Sequence, residues 1–312
     1  MTILLLGADG QVGFELQRAL GAFVRVRAAT RRGVLPSGSA CLGLDLADPV
    51  ALRAAIRALH PRMIVNAAAY TAVDKAENAY DAAFAANGTA LGVLGDEAKA
   101  LGAHVIHYST DYVFAGDGRR PYRPDDPVAP LNAYGRSKLA GEELLRASGA
   151  EHTILRTAWV YAARGRNFLR TMLRLGAERE RLTVVADQRG TPTSARSIAE
   201  VTAVLVRAVL AGNERAHGTH HLTCAGETTW HDFADAIMDC ALRAGLLAHR
   251  PTVAPIATSD YPTPARRPSY SVLDTSSLES ALAITLPDWR SALDDVIGEL
   301  AAGSVALPGR TG

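Results

Sequence analysis

An α/β protein with a doubly wound parallel sheet and a smaller C-terminal unit is predicted for this chain on three grounds. Short apolar runs alternate with amphipathic segments through the first half, the pattern of successive βαβ units. A glycine-spaced turn, Gly7-Ala8-Asp9-Gly10-Gln11-Val12-Gly13, separates the first apolar run from the first helix, as in Rossmann-like dinucleotide folds. The second half is less regular, and it carries prolines at 251, 255, 262, 264 and 268.

The apolar run 3–6 is a buried strand, and a helix covers 12–20. A second strand spans 24–28, and a third short apolar run leads to Asp45 and Leu46. Asp48 as N-cap and Pro49 as first helical residue begin a helix through 59. Strand 63–66 precedes one long alanine-rich helix over 80–101. Strand 104–108, helix 134–147 and strand 153–155 complete the regular half. Helices at 168–177, 198–210 and 230–244, with an apolar run at 182–185, make up the rest. The prolines exclude helix from 250–268 and predict an ordered loop or short strand. Two units are expected: a dinucleotide-binding one from 1–158 plus 196–224, and a substrate-binding one from 159–195 plus 225–312.

Composition narrows the function. A chain of 312 residues with 48% hydrophobic and 21% charged residues is globular. Its net charge of +1 gives no case for a nucleic-acid or membrane partner. Cys41, Cys224 and Cys240 show no paired spacing, which fits a reducing cytoplasm. The run 3–6 is too short for a signal peptide, and no stretch approaches a membrane span.

The glycine turn reads as a cofactor site. Gly7, Gly10 and Gly13 permit a tight turn and close helix–strand packing, with phosphates meeting the amides of Gln11 and Val12 at a helix N-terminus. The second strand ends in Thr30, Arg31 and Arg32 with no acid. Guanidiniums there suit a 2′-phosphate, so NADPH is expected ahead of NADH. Asp45 and Leu46 are placed near the adenine, and Ala67, Ala68 and Ala69 let a cofactor lie against the strand ends. Tyr108 is counted with these contacts.

Tyr134 and Lys138 stand four apart, on one face of the predicted helix. An ammonium beside a phenol favours the phenolate left after proton donation. Among the 33 Lys and Arg residues only Lys75, Lys99 and Lys138 are lysine. Ser109 and Thr110 put hydroxyls at a strand's carboxyl end, where doubly wound sheets bind ligands. His220, His221, Cys224 and His231 lack zinc geometry, because adjacent strand residues face opposite ways. His60, His104, His152 and His249 have no constellation around them.

The glycine turn, strand-end hydroxyl and Tyr-x-x-x-Lys, in this order, resemble the extended short-chain dehydrogenase/reductase superfamily. More specifically, residues 66–77, 109–114, 156–161, 187–188, 190–193 and 261–268 resemble the dTDP-4-dehydrorhamnose reductase family. The resemblance runs from Leu5 to about Trp289. It implies NADPH-dependent reduction of dTDP-4-dehydro-6-deoxy-L-mannose to dTDP-L-rhamnose, the last step of that sugar nucleotide's synthesis. By the same resemblance Tyr134 donates the proton, Lys138 stabilises the tyrosinate and binds the nicotinamide ribose, and Thr110 rather than Ser109 orients the carbonyl. Asp111, Trp159 and Asn167 are implied sugar contacts, and Arg266 and Arg267 are implied pyrophosphate contacts. Some such relatives bind Mg²⁺ through glutamates at a subunit contact. Glu15 matches one such position, but Arg196 stands where a second acid is wanted, so no metal is expected. The chain is expected to be a monomer or homodimer. A dehydratase reading lacks its second acid, because Tyr112 follows Asp111. A non-catalytic NADP-binding regulatory subunit is the alternative from another functional class.

Overall fold

The computed structural model describes residues 1–303. In chain order the larger layer holds β1 (Thr2–Leu6), α1 (Gln11–Gly21), β2 (Arg25–Thr30), β3 (Leu42–Gly43), α2 (Pro49–Leu59) and β4 (Met63–Asn66). Then come α3 (Val73–Ala76), α4 (Tyr80–Phe84), a π-helical turn (Ala85–Thr89), α5 (Ala90–Leu101), β5 (His104–Thr110), α6 (Ala133–Ala147) and β6 (His152–Thr157). The second half holds β7 (Val160–Tyr161), α7 (Phe168–Glu178), β8 (Arg181–Val185), β9 (Arg189–Gly190), β10 (Thr193–Ser194), α8 (Ala195–Leu210) and β11 (Gly218–His221). It closes with β12 (Thr228–Thr229), α9 (Trp230–Arg243), β13 (Thr252–Ile256), α10 (Ser276–Leu282) and α11 (Trp289–Ala301).

The main sheet has seven strands in the order β11-β6-β5-β4-β1-β2-β3, all parallel. Every residue of β4 and β5 is buried, as expected of strands covered on both faces. On one face Ile3, Leu5 and Ile106 pack with Leu16 of α1 and Ile198 and Leu205 of α8. On the other, Leu4, Ile64 and Val105 pack with Leu52 of α2, Leu94 of α5 and Leu145 of α6. The chain turns from β1 to β2 on one side and to β4 on the other. Such a switch point opens a crevice at the strands' carboxyl ends. A separate core, including Leu173, Phe233, Ile237, Trp289 and Ile297, joins α7, α9 and α11 to β8.

Differences from the sequence reading have physical causes. The long helix expected over 80–101 is interrupted by the π-helical turn, which presents buried Asn87 sideways. Asn87 accepts from Tyr70 N at 2.8 Å and donates to Tyr70 O and Ser137 Oγ, each at 3.0 Å. Alanine propensity cannot reveal that insertion, because the turn is held by tertiary bonds. At Gly141, α6 comes so close to this turn that a Cβ would lie 1.9 Å from Asn87 O. Strand β11 was not distinguished by sequence, yet it pairs with β6 at the sheet edge. Helix α10, expected in the smaller unit, instead places Leu278 in the core between sheet and α8. Within the proline-rich segment the expected short strand is β13, which pairs in parallel with β8. Positions 304–312 of the expected second unit lie outside the described residues. Among the described residues no helix is long and apolar enough to cross a membrane.

Candidate active site

The glycine turn is built for close approach. Gly7 has φ +74, and a Cβ there would lie 2.6 Å from Ala68 N. At Gly13 a Cβ would meet Gly7 O at 2.0 Å, so α1 packs directly on the turn. Gly10 is the N-cap of α1 and supplies no side-chain acceptor. The first amides of the helix are therefore open to an anion, and these residues fit a dinucleotide's phosphates. Ala67, Ala68 and Ala69 are half-buried at the end of β4. Thr30 is buried, and its Oγ1 bonds Val34 N and Val34 O at 3.2 Å each. That hydroxyl fixes the turn after β2. Arg31 and Arg32 are exposed, with no ion-pair partner among the described residues. Asp45 is exposed and accepts from Ala47 N at 3.0 Å, whereas Leu46 is buried with Leu52 and Ile64.

At the end of β5 the structure brings Thr110 and Tyr134 together. Asn132 caps α6 by accepting from Gly135 N at 2.8 Å, and Glu77 accepts from Ala133 N at 2.8 Å. These bonds set the first turn of α6, and Tyr134 sits there with its ring edge-on to Tyr112 at 5.9 Å. Burial raises the Tyr134 pKa, and the Asp111 carboxyl raises it further, while the Thr110 hydroxyl opposes them. The phenol therefore holds its proton. Thr110 Oγ1 donates to Asp111 Oδ1 at 3.0 Å. Burial pushes Asp111 up to about 7, partly offset by the Ser271 and Thr110 hydroxyls. Ser109 instead lies on the Glu142 side of β5, and its buried Oγ has no hydrogen-bond partner among the described residues.

Lys138 is fully buried, but its Nζ is turned onto β5. It donates to Tyr108 O at 2.6 Å and lies 3.0 Å from His107 Nε2. Burial pushes Lys138 down to about 7, with Glu142 opposing. Sequence reasoning missed His107 and Asn66, which lies 3.1 Å from His107 Nδ1. The available signal was alternation along β5, which puts His107 and Ser109 on one face. The Tyr108 side chain needs correcting: its hydroxyl bonds Thr202 of α8 at 2.7 Å in the core, and only its carbonyl reaches the site.

The outer wall holds the remaining residues. Arg266 is exposed, and its carbonyl accepts from Asn132 Nδ2 at 2.9 Å. Arg267 pairs with Asp74 at 3.0 Å, and Ala265 N donates to the same carboxyl at 3.2 Å. The proline-rich loop is thus docked against α3 and the start of α6. Trp159 has φ +47 and stacks on Trp230 at 3.5 Å. A Cβ at Gly190 would strike its ring at 2.4 Å. Trp230 and Gly190 were not foreseen as its partners. Asn167 is a second correction. Its Nδ2 donates to Gln11 Oε1, Ala162 O and Arg164 O, and its Oδ1 accepts from Arg170 N to cap α7. It fastens the glycine turn to the smaller lobe rather than presenting an amide to a sugar.

Glu15 is buried beside Arg18 at 3.1 Å, with Arg164, Arg196 and Glu299 also nearby. Three guanidiniums do not fit a site for Mg²⁺, which needs oxygen ligands. His220 bonds Ser277 Oγ, His221 bonds Asp274 O, and His231 bonds Asp232. His104, expected to stand alone, meets Glu151 and His217 with ligand atoms within 4.8 Å. Thr153 already occupies His104 Nε2, at 2.9 Å, and Glu151 occupies His217 Nδ1, at 2.7 Å. They form a hydrogen-bonded corner at the amino ends of β5, β6 and β11, opposite the Thr110 end.

Comparison with known proteins agrees with this geometry. The profile of the family described as RmlD substrate binding domain matches residues 1–302. The dTDP-4-dehydrorhamnose reductase of Burkholderia thailandensis is 46% identical over 307 residues, covering 96% of this chain and 99% of that protein. A crystal structure of dTDP-4-dehydrorhamnose reductase from Clostridium acetobutylicum superposes with a TM-score of 0.86 at 36% identity, covering 96% of this chain and 99% of that one. The Bacillus anthracis enzyme of the same name, solved in complex with NADP, has a TM-score of 0.85 at 30% identity over 96% of this chain and 99% of its own.

Proposed function

The chain belongs to the dTDP-4-dehydrorhamnose reductase family of oxidoreductases, and from that premise we propose that it reduces dTDP-4-dehydro-6-deoxy-L-mannose at C4 with NADPH, yielding dTDP-L-rhamnose. The observation that carries the reading is the Thr110 hydroxyl beside the protonated Tyr134 phenol at the carboxyl end of β5. A bound nicotinamide supplies the hydride.

The chain's own groups do the rest. Thr110 and Tyr134 hydrogen-bond the C4 carbonyl oxygen and hold it in the crevice. As the oxygen becomes an alkoxide it takes the Tyr134 proton, leaving a phenolate. Lys138, one turn away on α6, stabilises that phenolate when charged. Gly7, Gly10 and Gly13 seat the pyrophosphate, and Arg31 and Arg32 receive the 2′-phosphate. Arg266, exposed at the tip of the docked loop, meets the sugar nucleotide's pyrophosphate, with Arg267 and Asp74 bracing the loop. Trp159, stacked on Trp230, forms a wall for the sugar.

The test is to mix the protein with NADPH and the keto-sugar nucleotide and follow NADPH absorbance. Substrate-dependent oxidation is expected. Cofactor binding without oxidation would instead support the non-catalytic regulatory subunit.

A further inference from the structure

Two buried residues beside Lys138, Asn66 and His107, fix which of its neighbours donate and which accept. Asn66, at the end of β4, accepts from Ala68 N through Oδ1 at 3.2 Å. Its orientation is thereby set, and its NH₂ faces His107 Nδ1 at 3.1 Å. An amide NH₂ can only donate, so Nδ1 must carry the lone pair. His107 is fully buried, and burial holds it uncharged, against an opposing backbone hydrogen bond at Asn66. A neutral imidazole with a bare Nδ1 carries its proton on Nε2. That N–H points at Lys138 Nζ, 3.0 Å away. An ammonium has no acceptor site, so two donors would face each other unless Nζ is an amine with a free lone pair. An amine satisfies both contacts: it accepts from His107 Nε2 and donates to Tyr108 O at 2.6 Å.

We propose that Asn66 and His107 are positioning residues that hold Lys138, in the ligand-free chain, as an uncharged amine bonded to β5 rather than to the Tyr134 hydroxyl. The catalytic reading is needed only to give Lys138 its purpose; the hydrogen-bond relay stands on the geometry. The groups around the amine come from β5, β4 and α6, and of these only Glu142 favours the charged form. Strand β5 contributes the His107 ring and the Tyr108 carbonyl, and β4 contributes Asn66 behind them. Glu142 on α6 is the nearest carboxylate in charge terms. Its oxygens are taken by Arg156 at 3.0 and 2.7 Å and by Arg146 at 2.7 Å. The independent direction of the Lys138 shift, down to about 7 through burial, is consistent with the relay.

The scarcity of lysine makes the test clean. Only Lys75, Lys99 and Lys138 contribute lysine signals, and Lys75 and Lys99 are exposed. Protein labelled with ¹³C at lysine Cε and ¹⁵N in histidine rings is titrated by NMR without ligand. Loss of one signal in Lys138→Arg assigns it. Lys138 should change near pH 7, with the His107 proton on Nε2. In Asn66→Ala the ring is free to take the other tautomer and accept from a charged lysine, so the Lys138 midpoint should rise by about one pH unit or more. A wild-type midpoint in the ordinary lysine range near ~10.4, a His107 proton on Nδ1, or an unmoved midpoint in Asn66→Ala would each overturn the proposal. No substrate is used, so failure of the proposed reaction would leave this result readable.

Discussion

Two buried basic side chains lie near Glu142 of α6 and are treated in opposite ways. Arg156, on β6, is matched to Glu142 through Nε and Nη2 at 3.0 and 2.7 Å, donates to Pro124 O at 2.9 Å, and stacks over Phe114. Lys138 sits four residues before the same Glu142 on the same helix, yet that carboxylate turns to the arginines. Lys138 is left with a carbonyl and an imidazole. A buried cation with a fitted counter-ion is structural, and removing its partner leaves an uncompensated charge. A buried cation with only neutral partners is readily discharged. The contrast shows where this fold tolerates instability: beside the tyrosine expected to give up a proton.

Experiments can break or sharpen that contrast. The largest effect is expected in Tyr134→Phe, where turnover should fall by about 10²–10⁴-fold while NADPH binding, followed by fluorescence titration, stays intact. Retained turnover would remove Tyr134 from the reaction. Arg156→Met should destabilise the protein by about 3 kcal/mol in urea unfolding, by leaving buried Glu142 with Arg146 alone. Adding Glu142→Leu should restore much of that loss.

Lys138→Met should do the reverse and stabilise the chain at neutral pH, by at most about 4 kcal/mol, while activity is lost. The sign follows from linkage. Burial holds the folded pKa at about 7, below the ordinary lysine value of 10.5, so between those values the unfolded chain binds more protons. Wild-type stability should therefore rise with pH across that window, and the Lys138→Met variant should lose that rise. Smaller effects are expected further out. Arg31→Ala with Arg32→Ala should raise KM for NADPH by about tenfold and leave KM for NADH unchanged; equal effects on both cofactors would refute a 2′-phosphate site.

Much of this was legible in sequence because its causes are local. Asp48 and Pro49 start α2 as read, and Asp48 accepts from Val50 N and Ala51 N. The close approach of Gly13 to Gly7 O is local to the glycine turn, whereas that of Gly7 to Ala68 needs β1 and β4 to be neighbours. Tyr134 and Lys138 share a helix, so their relation was visible. What escaped detection depends on which strands become neighbours. His107 meets Asn66 only because β4 and β5 pair in register, and Trp159 meets Trp230 across 71 positions of chain. Asn167 had a readable signal as the N-cap of α7, but family likeness drew it towards the sugar. The π-helical turn at Asn87 was hidden inside a helix-forming run.

The central claim is carbonyl reduction at C4 by hydride transfer paired with a proton from Tyr134. It is tested most directly by running the reaction with NADPH deuterated at the transferring position and reading the sugar product by NMR. Deuterium at C4 of dTDP-L-rhamnose is the expected result. Recovery of the C4 epimer, or of product without deuterium at C4, would contradict it.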